Sequence, residues 1–255
     1  MRLTLSHLFY ERTLNIMTNN HQAGRSTREM AEKRRKTGIW IGVIGIVLII
    51  IVGVLLQNSK ALGIGGMGLL VLLVLLRILP DLFDRKTAKK HKEMKRAIRG
   101  AKGEEKIGEL LSELSPDYHV LHDIVSPYGN IDHIVIGRTS GIFLIETKAH
   151  GGKVSMDGET LLVNGKFPEK DFIAQALRNA YWLRDEVSRF AGSKPWITPI
   201  LVFTNAYVSP TNPVKGVIIL NKKYLLALLQ RENRSNAQIT RVWEQREVIS
   251  KHLCA

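Results

Sequence analysis

Residues 131–148 read IDHIVIGRTSGIFLIETK, and this stretch is the most informative one about the fold. Its first part, IDHIVIG, and its last part, IFLIETK, are apolar runs rich in isoleucine, a composition typical of β-strands. The segment Thr139-Ser140-Gly141 between them is a turn signal. Because so short a connection favours antiparallel pairing, the sequence predicts two neighbouring antiparallel strands over residues 131–137 and 142–148.

Three charged side chains interrupt these apolar strands: Asp132, Glu146 and Lys148. Strand side chains alternate between faces, so Glu146 and Lys148 lie on one face, roughly 6–7 Å apart. A symmetric hairpin would place Asp132 nearly opposite Glu146. Facing carboxylates repel each other unless a cation lies between them, and oxygen ligands suit Mg²⁺ or Mn²⁺. Spacing alone also leaves open an ordinary surface hairpin with a polar face.

The elements on either side of this hairpin complete an α/β pattern. Glu104, in the first turn of the preceding helix, could add a further carboxylate to the site. Gly100 and Gly103 are expected to separate this helix from the basic segment before it. The order α-β-β-β-(hairpin)-α-β-β-α predicts a sandwich with a mixed central sheet. The predicted helices cover residues 104–114, 171–190, 222–230 and 239–252, and the predicted strands cover 118–125, 153–156, 160–163, 197–203 and 217–220.

Four motifs follow one another in this part of the chain: GAKGE at 100–104, GNIDHIV at 129–135, GIFLIETK at 141–148 and QALRN at 175–179. They resemble the nuclease-related (NERD) domain, which looks like a branch of the PD-(D/E)XK superfamily. That resemblance implies a restriction-endonuclease-like α-β-β-β-α-β core in a domain over residues 100–230. Ile131 stands where the superfamily has a proline before the aspartate, but the strand and the carboxylate are kept.

The resemblance also implies roles for individual residues. Asp132 and Glu146 would be ligands of Mg²⁺ or Mn²⁺, together with the main-chain carbonyl of Thr147. Lys148 would be the catalytic lysine, while Glu104 and Gln175 match the family's helix positions. The implied activity is hydrolysis of phosphodiester bonds in nucleic acid, with DNA ahead of RNA. The alternative is a non-catalytic module that keeps the nuclease fold and serves as a nucleic-acid-binding or scaffolding element.

Two long apolar runs precede this domain. Residues 38–56 (GIWIGVIGIVLIIIVGVLL) carry no charge and would span roughly 28 Å as a helix, and residues 61–79 carry only Arg77. Their length predicts two transmembrane helices, which a short turn at 57–60 joins into a hairpin. Small residues in the second run would allow close packing within the hairpin or between copies in a homo-oligomer: Gly63, Gly65, Gly66 and Gly68.

Charge is distributed unevenly along the chain, whose net charge is +14. Residues 1–99 carry 18 basic and 6 acidic side chains, whereas residues 100–255 carry 19 and 17. The excess flanks the predicted spans, in a partly disordered segment at 1–37 and a juxtamembrane linker or helix at 80–99. Such flanks favour a lipid bilayer partner and a cytoplasmic location for both termini and the soluble domain. A nucleic-acid-binding surface is the competing interpretation of this basicity.

Several other kinds of site are excluded or disfavoured by the sequence. Cys254 is the only cysteine, so the chain has neither an internal disulfide nor a thiolate zinc cluster. Walker, dinucleotide-binding and Ser-His-Asp signatures do not occur in the sequence. His133 is predicted to point away from Asp132 as a buried, hydrogen-bonded histidine. The C-terminal extension at 231–255 is predicted to be helical, and three tryptophans are predicted in the core: Trp182, Trp196 and Trp243.

Overall fold

The computed structural model describes residues 91–209, 212–231 and 234–255, together with scattered helical positions between residues 29 and 57. Residues 100–255 belong to one compact unit, and the described residues before them belong to another. Among the described residues, no helix is both long enough and apolar enough to cross a bilayer. The first predicted span is described only in part, and the second, at 61–79, lies outside the described residues.

A mixed sheet of six strands forms the centre of the larger unit. The strands are β1 (Tyr118–Ile124), β2 (Ile131–Gly137), β3 (Gly141–Asp157), β4 (Thr160–Val163), β5 (Ile197–Val208) and β6 (Ile218–Asn221). Their order in the sheet is β1-β2-β3-β5-β6, and β4 pairs with the distal part of β3. Pairing is antiparallel among the first four strands and parallel from β3 to β5 and from β5 to β6. The predicted α/β fold with a mixed sheet is therefore confirmed.

Helices cover both faces of this sheet. The helix Phe172–Ala191 begins after Asp171, whose side chain accepts a hydrogen bond of 3.0 Å from the Ala174 N–H. It ends at Gly192, which adopts the left-handed conformation. The described helices are α1 (91–111), α2 (Phe172–Ala191), a 3₁₀ turn (Lys222–Tyr224), α3 (Leu225–Arg231), α4 (Ala237–Glu244) and α5 (Arg246–Leu253).

Alternation along β2 and β3 divides the core into two layers. On one face, side chains such as Ile134 and Leu144 pack with Leu183 of α2, and the C-terminal helices α4 and α5 join this cluster through Ile239 and Ile249. On the other face, the clustered side chains include Ile107 and Leu111 of α1, Val135 and Phe143 of the strands, and Leu225 of α3. The sheet is therefore enclosed by helices on both sides.

The predicted helix break at Gly100 and Gly103 is wrong, because residues 91–111 form one continuous helix. Gly103 lies where α1 meets the sheet. A Cβ atom added there would lie 3.1 Å from the Cβ of Ala149 and 3.4 Å from Oγ1 of Thr204. The glycine therefore serves a close helix–sheet approach and does not end the helix.

The small hairpin predicted as a separate feature after residue 148 is an extension of β3. This strand continues to Asp157, with an irregularity in its pairing to β5 between Lys148 and Gly151. The turn then leads directly into β4, as the Asp157-Gly158 signal predicted. The irregularity directly follows Glu146 and Lys148. Bulges bend a strand and re-aim its side chains.

Two predictions about the C-terminal part need correction. The helix predicted at 239–252 is two helices that meet at Gln245, and this turn lets both apolar faces reach the same core cluster. Trp196 is 61% exposed, because it lies just before β5 and outside the buried run of that strand. By contrast, Trp182 and Trp243 are partly buried against the core.

Candidate active site

The register of β2 and β3 brings the two predicted carboxylates together. His133 pairs with Ile145 and the next residues follow in step, so one further step along the ladder places Asp132 opposite Glu146. The main-chain N–H of Thr147 donates a hydrogen bond of 2.6 Å to Oδ2 of Asp132. The antiparallel pairing predicted for this hairpin is therefore confirmed, and both acidic side chains lie beside the beginning of β2.

Glu146 is almost completely buried, with 1% of its surface exposed, and both of its carboxylate oxygens have partners. Oε2 accepts hydrogen bonds from Nζ of Lys148 at 3.2 Å and from Nε2 of Gln175 at 3.1 Å. Oε1 accepts a hydrogen bond of 2.9 Å from Nδ2 of Asn179. Because a buried carboxylate is costly without such partners, one ammonium and two amides hold this side chain in one orientation.

Helix α2 supplies both amides, since Gln175 and Asn179 lie one helical turn apart on the same face. Asn179 is fully buried, and its Oδ1 accepts a hydrogen bond of 2.8 Å from Oγ of Ser126. Ser126 belongs to the connection between β1 and β2, where its Oγ also accepts from the main-chain N–H of Tyr128 at 3.1 Å. The sequence did not indicate that Ser126 belongs to the site, because no local pattern connects residues 53 positions apart.

Lys148 extends the site toward solvent. Its side chain is 13% exposed, and its Nζ lies 5.0 Å from the ring centroid of Phe172, the first residue of α2. The ring adds a cation–π contact to the ion pair with Glu146. Because Asp132 and Lys148 are only partly buried, a ligand would reach the site from their side, with Glu146 behind them.

Negative charge is in excess at this site. Burial raises the pKa of Asp132 well above its ordinary value, and the charges of Glu146 and Glu104 raise it further. The charge of Lys148 and the hydrogen bond from the Thr147 N–H lower this pKa, but by less than the other effects raise it. Glu104 follows Gly103 on α1, so the close helix–sheet approach brings a third carboxylate within electrostatic range of Asp132.

This donor set suits a hard divalent cation, which would neutralise the excess negative charge. Among the residues that the structure describes, no three His, Cys, Asp or Glu side chains are grouped so as to hold a metal ion. Asp132, Glu146 and the carbonyl of Thr147 are the residues that would hold such a cation. Mg²⁺ commonly binds proteins through only one or two carboxylates, so the chemistry of these oxygens fits. Glu146 would first exchange one of its present partners.

His133 lies on the other face of β2 from Asp132, as predicted. It is fully buried, and its Nδ1 lies 2.8 Å from Nδ1 of His122 on β1. Burial lowers the pKa of His133 well below its usual value, and the neighbouring His122 lowers it further. This histidine is therefore a neutral residue of the sheet interior.

The fold and this site together define an α/β domain with paired carboxylates and a lysine on adjacent strands. Residues 99–204 match the family model described as the nuclease-related domain (NERD). These residues therefore form a nuclease-related domain, which confirms the resemblance for this part of the chain. The match contains Asp132, Glu146, Lys148 and both amides of α2, whereas α4 and α5 lie outside it. Searches of curated proteins and of solved structures gave no match.

Proposed function

We propose that this chain is a metal-dependent phosphodiester hydrolase that acts on nucleic acid at the cytoplasmic face of a membrane. One observation carries the catalytic part: Asp132 and Glu146 directly adjoin the last paired residues, His133 and Ile145, and the Lys148 ammonium lies 3.2 Å from Glu146. The nuclease-related domain at residues 99–204 supports nucleic acid as the substrate class. Within that class we propose DNA ahead of RNA.

Each residue of the site has a role in this proposal. Asp132, Glu146 and the Thr147 carbonyl would hold Mg²⁺ or Mn²⁺, which supplies Lewis-acid stabilisation and a more acidic bound water. Lys148 presents an ammonium that can orient a water molecule and balance negative charge on the scissile phosphate. Gln175 keeps Glu146 aimed at the site, and the negative charge of Glu104 strengthens attraction for a cation.

A second candidate function is a non-catalytic module that binds nucleic acid or a partner. One observation favours it: Glu146 is 1% exposed and already accepts hydrogen bonds at both oxygens. A network closed in this way can stabilise the fold without any cation. In that case Lys148 is a structural ion-pair partner, and the domain serves as a scaffold.

Cleavage assays separate these two functions. Purified full chain is incubated with labelled single- and double-stranded DNA and RNA in Mg²⁺, Mn²⁺ or EDTA. We expect cleavage only with a divalent cation, and a loss of ~10²–10⁴-fold in Glu146→Ala, because that substitution removes a proposed metal ligand. The matched control is Glu159→Ala, since Glu159 lies in the exposed β3–β4 turn. Binding to nucleic acid without any metal-dependent cleavage would favour the scaffold.

The membrane part of the proposal rests on the apolar runs at 38–56 and 61–79 and on their basic flanks. Large apolar side chains exposed to water are unfavourable, and a bilayer would cover them. A reporter fused at residue 58 is expected to be external and one at the C-terminus cytoplasmic; the reverse would overturn the hairpin. The exposed apolar side chains include Ile39, Trp40, Val43, Ile46, Val47, Ile50, Ile51 and Val54.

A further inference from the structure

A polar cavity of ≈ 500 Å³ lies at the other end of β2 from the carboxylates. Arg138 follows the last residue of β2, six positions after Asp132, which corresponds to ~20 Å along an extended strand. The opposite wall comes from the C-terminal helices, beyond the residues that match the family model. The side chains around the cavity include Arg138, Thr139, Thr240, Trp243, Glu244 and Arg246.

Arg246 is held in a stacked position. Its guanidinium carbon lies 4.4 Å from the ring centroid of Trp243, and its Nη1 donates a hydrogen bond of 2.9 Å to the Trp243 carbonyl. Its Nε lies 3.7 Å from a carboxylate oxygen of Glu247. Guanidinium groups and aromatic rings are the surfaces on which proteins stack nucleobases. The stacked pair therefore offers a preformed platform for a planar ring.

Arg138 offers a positive charge that is easily redirected. Its only ion pair among those described is with Asp117 at 3.3 Å, and both side chains are about 60% exposed. Exposed pairs of this kind contribute little free energy, so an incoming anion can replace the aspartate. Arginine binds phosphate oxygens in a bidentate, charge-assisted manner.

The remaining lining discriminates between classes of anion. The carboxylate of Glu244 disfavours a bare phosphate but can accept hydrogen bonds from sugar hydroxyls or an exocyclic amine. The volume of ≈ 500 Å³ falls within the range of small-molecule sites and greatly exceeds what one phosphate fills. We propose that this cavity binds a nucleoside phosphate, either free or at the end of a strand, through Arg138 and the Arg246–Trp243 platform.

Calorimetric titration of purified full chain with adenosine 5′-monophosphate in EDTA tests this site. We expect saturable binding, with adenosine and inorganic phosphate each ~10-fold weaker or more, because each lacks half of the recognised groups. Arg138→Glu and Arg246→Ala should each weaken binding by ~10–100-fold. The matched control is Arg184→Ala, since Arg184 stacks on Tyr181 at 5.1 Å but lies outside this cavity.

Three results would overturn the proposal: no saturable binding of the nucleotide, inorganic phosphate binding equally well, or equal weakening in the Arg184 control. Arg138 is 62% exposed, so Arg138→Glu should keep the fold and decides the outcome even if Arg246→Ala unfolds. A 5′-phosphorylated adenosine tetranucleotide, which keeps the same base, then identifies the source of the ligand. Binding ~10-fold tighter than that of the mononucleotide assigns the site to strand ends, and weaker binding assigns it to free nucleotides.

Discussion

The two ends of β2 carry opposite kinds of chemistry. At its beginning, Asp132 lies near Glu146, and the negative charge of Glu104 also acts on Asp132. Negative charge is therefore in excess there. Just after its end, Arg138 borders a cavity that also contains Arg246. Between them, Ile134 and other strand residues are buried in the apolar core. A buried, apolar strand therefore separates an acidic cluster from a polar cavity.

The largest expected effect concerns the acidic end of the strand. Lys148→Ala should reduce metal-dependent cleavage by ~10²–10⁴-fold, because it removes the only ammonium that pairs with Glu146 among the described residues. Initial rates on labelled DNA measure this loss. Lys153→Ala serves as the control, since this exposed lysine lies on the same strand beyond the irregularity. Equal rates in the wild type and Lys148→Ala would remove Lys148 from the reaction.

The next effect tests whether α4 and α5, which form one wall of the cavity beside Arg138, are an integral part of the domain. Ile249→Ala should lower the free energy of unfolding by ~2–5 kcal/mol, because Ile249 is fully buried in the cluster beneath α4 and α5. Its neighbour Val248 is 48% exposed, so Val248→Ala should change stability by less than ~0.5 kcal/mol. Chemical denaturation of both variants measures the difference. Similar values for the two would show that these helices are loosely attached.

A smaller effect is expected where α1 approaches the acidic end. Gly103→Val should destabilise the protein by ~1–3 kcal/mol, because even its Cβ would lie 3.1 Å from the Cβ of Ala149. Gly151→Ala is the control, since the nearest atom to an added Cβ there is the Asn205 carbonyl oxygen at 3.9 Å. Thermal unfolding compares the two. A neutral Gly103→Val would mean that the helix does not need this close contact.

The smallest effect follows from the raised pKa of Asp132. Because this pKa is raised above the usual 3.8, the folded state binds the carboxyl proton of Asp132 more tightly than the unfolded state does. Ionisation of Asp132 at neutral pH therefore costs stability. Without divalent cations, Asp132→Asn should therefore raise Tm at pH 7 by ~2–4 °C, and this gain should vanish below pH ~3.8. Asp157→Asn, at an exposed strand end, is expected to leave Tm unchanged. A lower Tm for Asp132→Asn would contradict the proposed excess of negative charge.

Sequence patterns predicted the elements whose signals are local. The predicted bounds of β2 agree with the structure, and those of α2 differ by one residue at each end, because turn residues and a capping aspartate mark these positions. The continuity of α1 was not predictable, since the close contact of Gly103 with Ala149 outweighs its low helix propensity. The bond from Ser126 to Asn179 and the cavity between Arg138 and Arg246 join distant parts of the chain, so no local spacing could indicate them.

The central claim is that Asp132 and Glu146 can share one divalent cation. Titration of the full chain with Mn²⁺, followed by electron paramagnetic resonance, tests it without relying on any substrate. We predict one bound Mn²⁺ that Mg²⁺ displaces, with affinity reduced ~10–100-fold in Asp132→Asn. Absence of bound Mn²⁺, or the same affinity in Asp132→Asn as in the wild type, would contradict the claim.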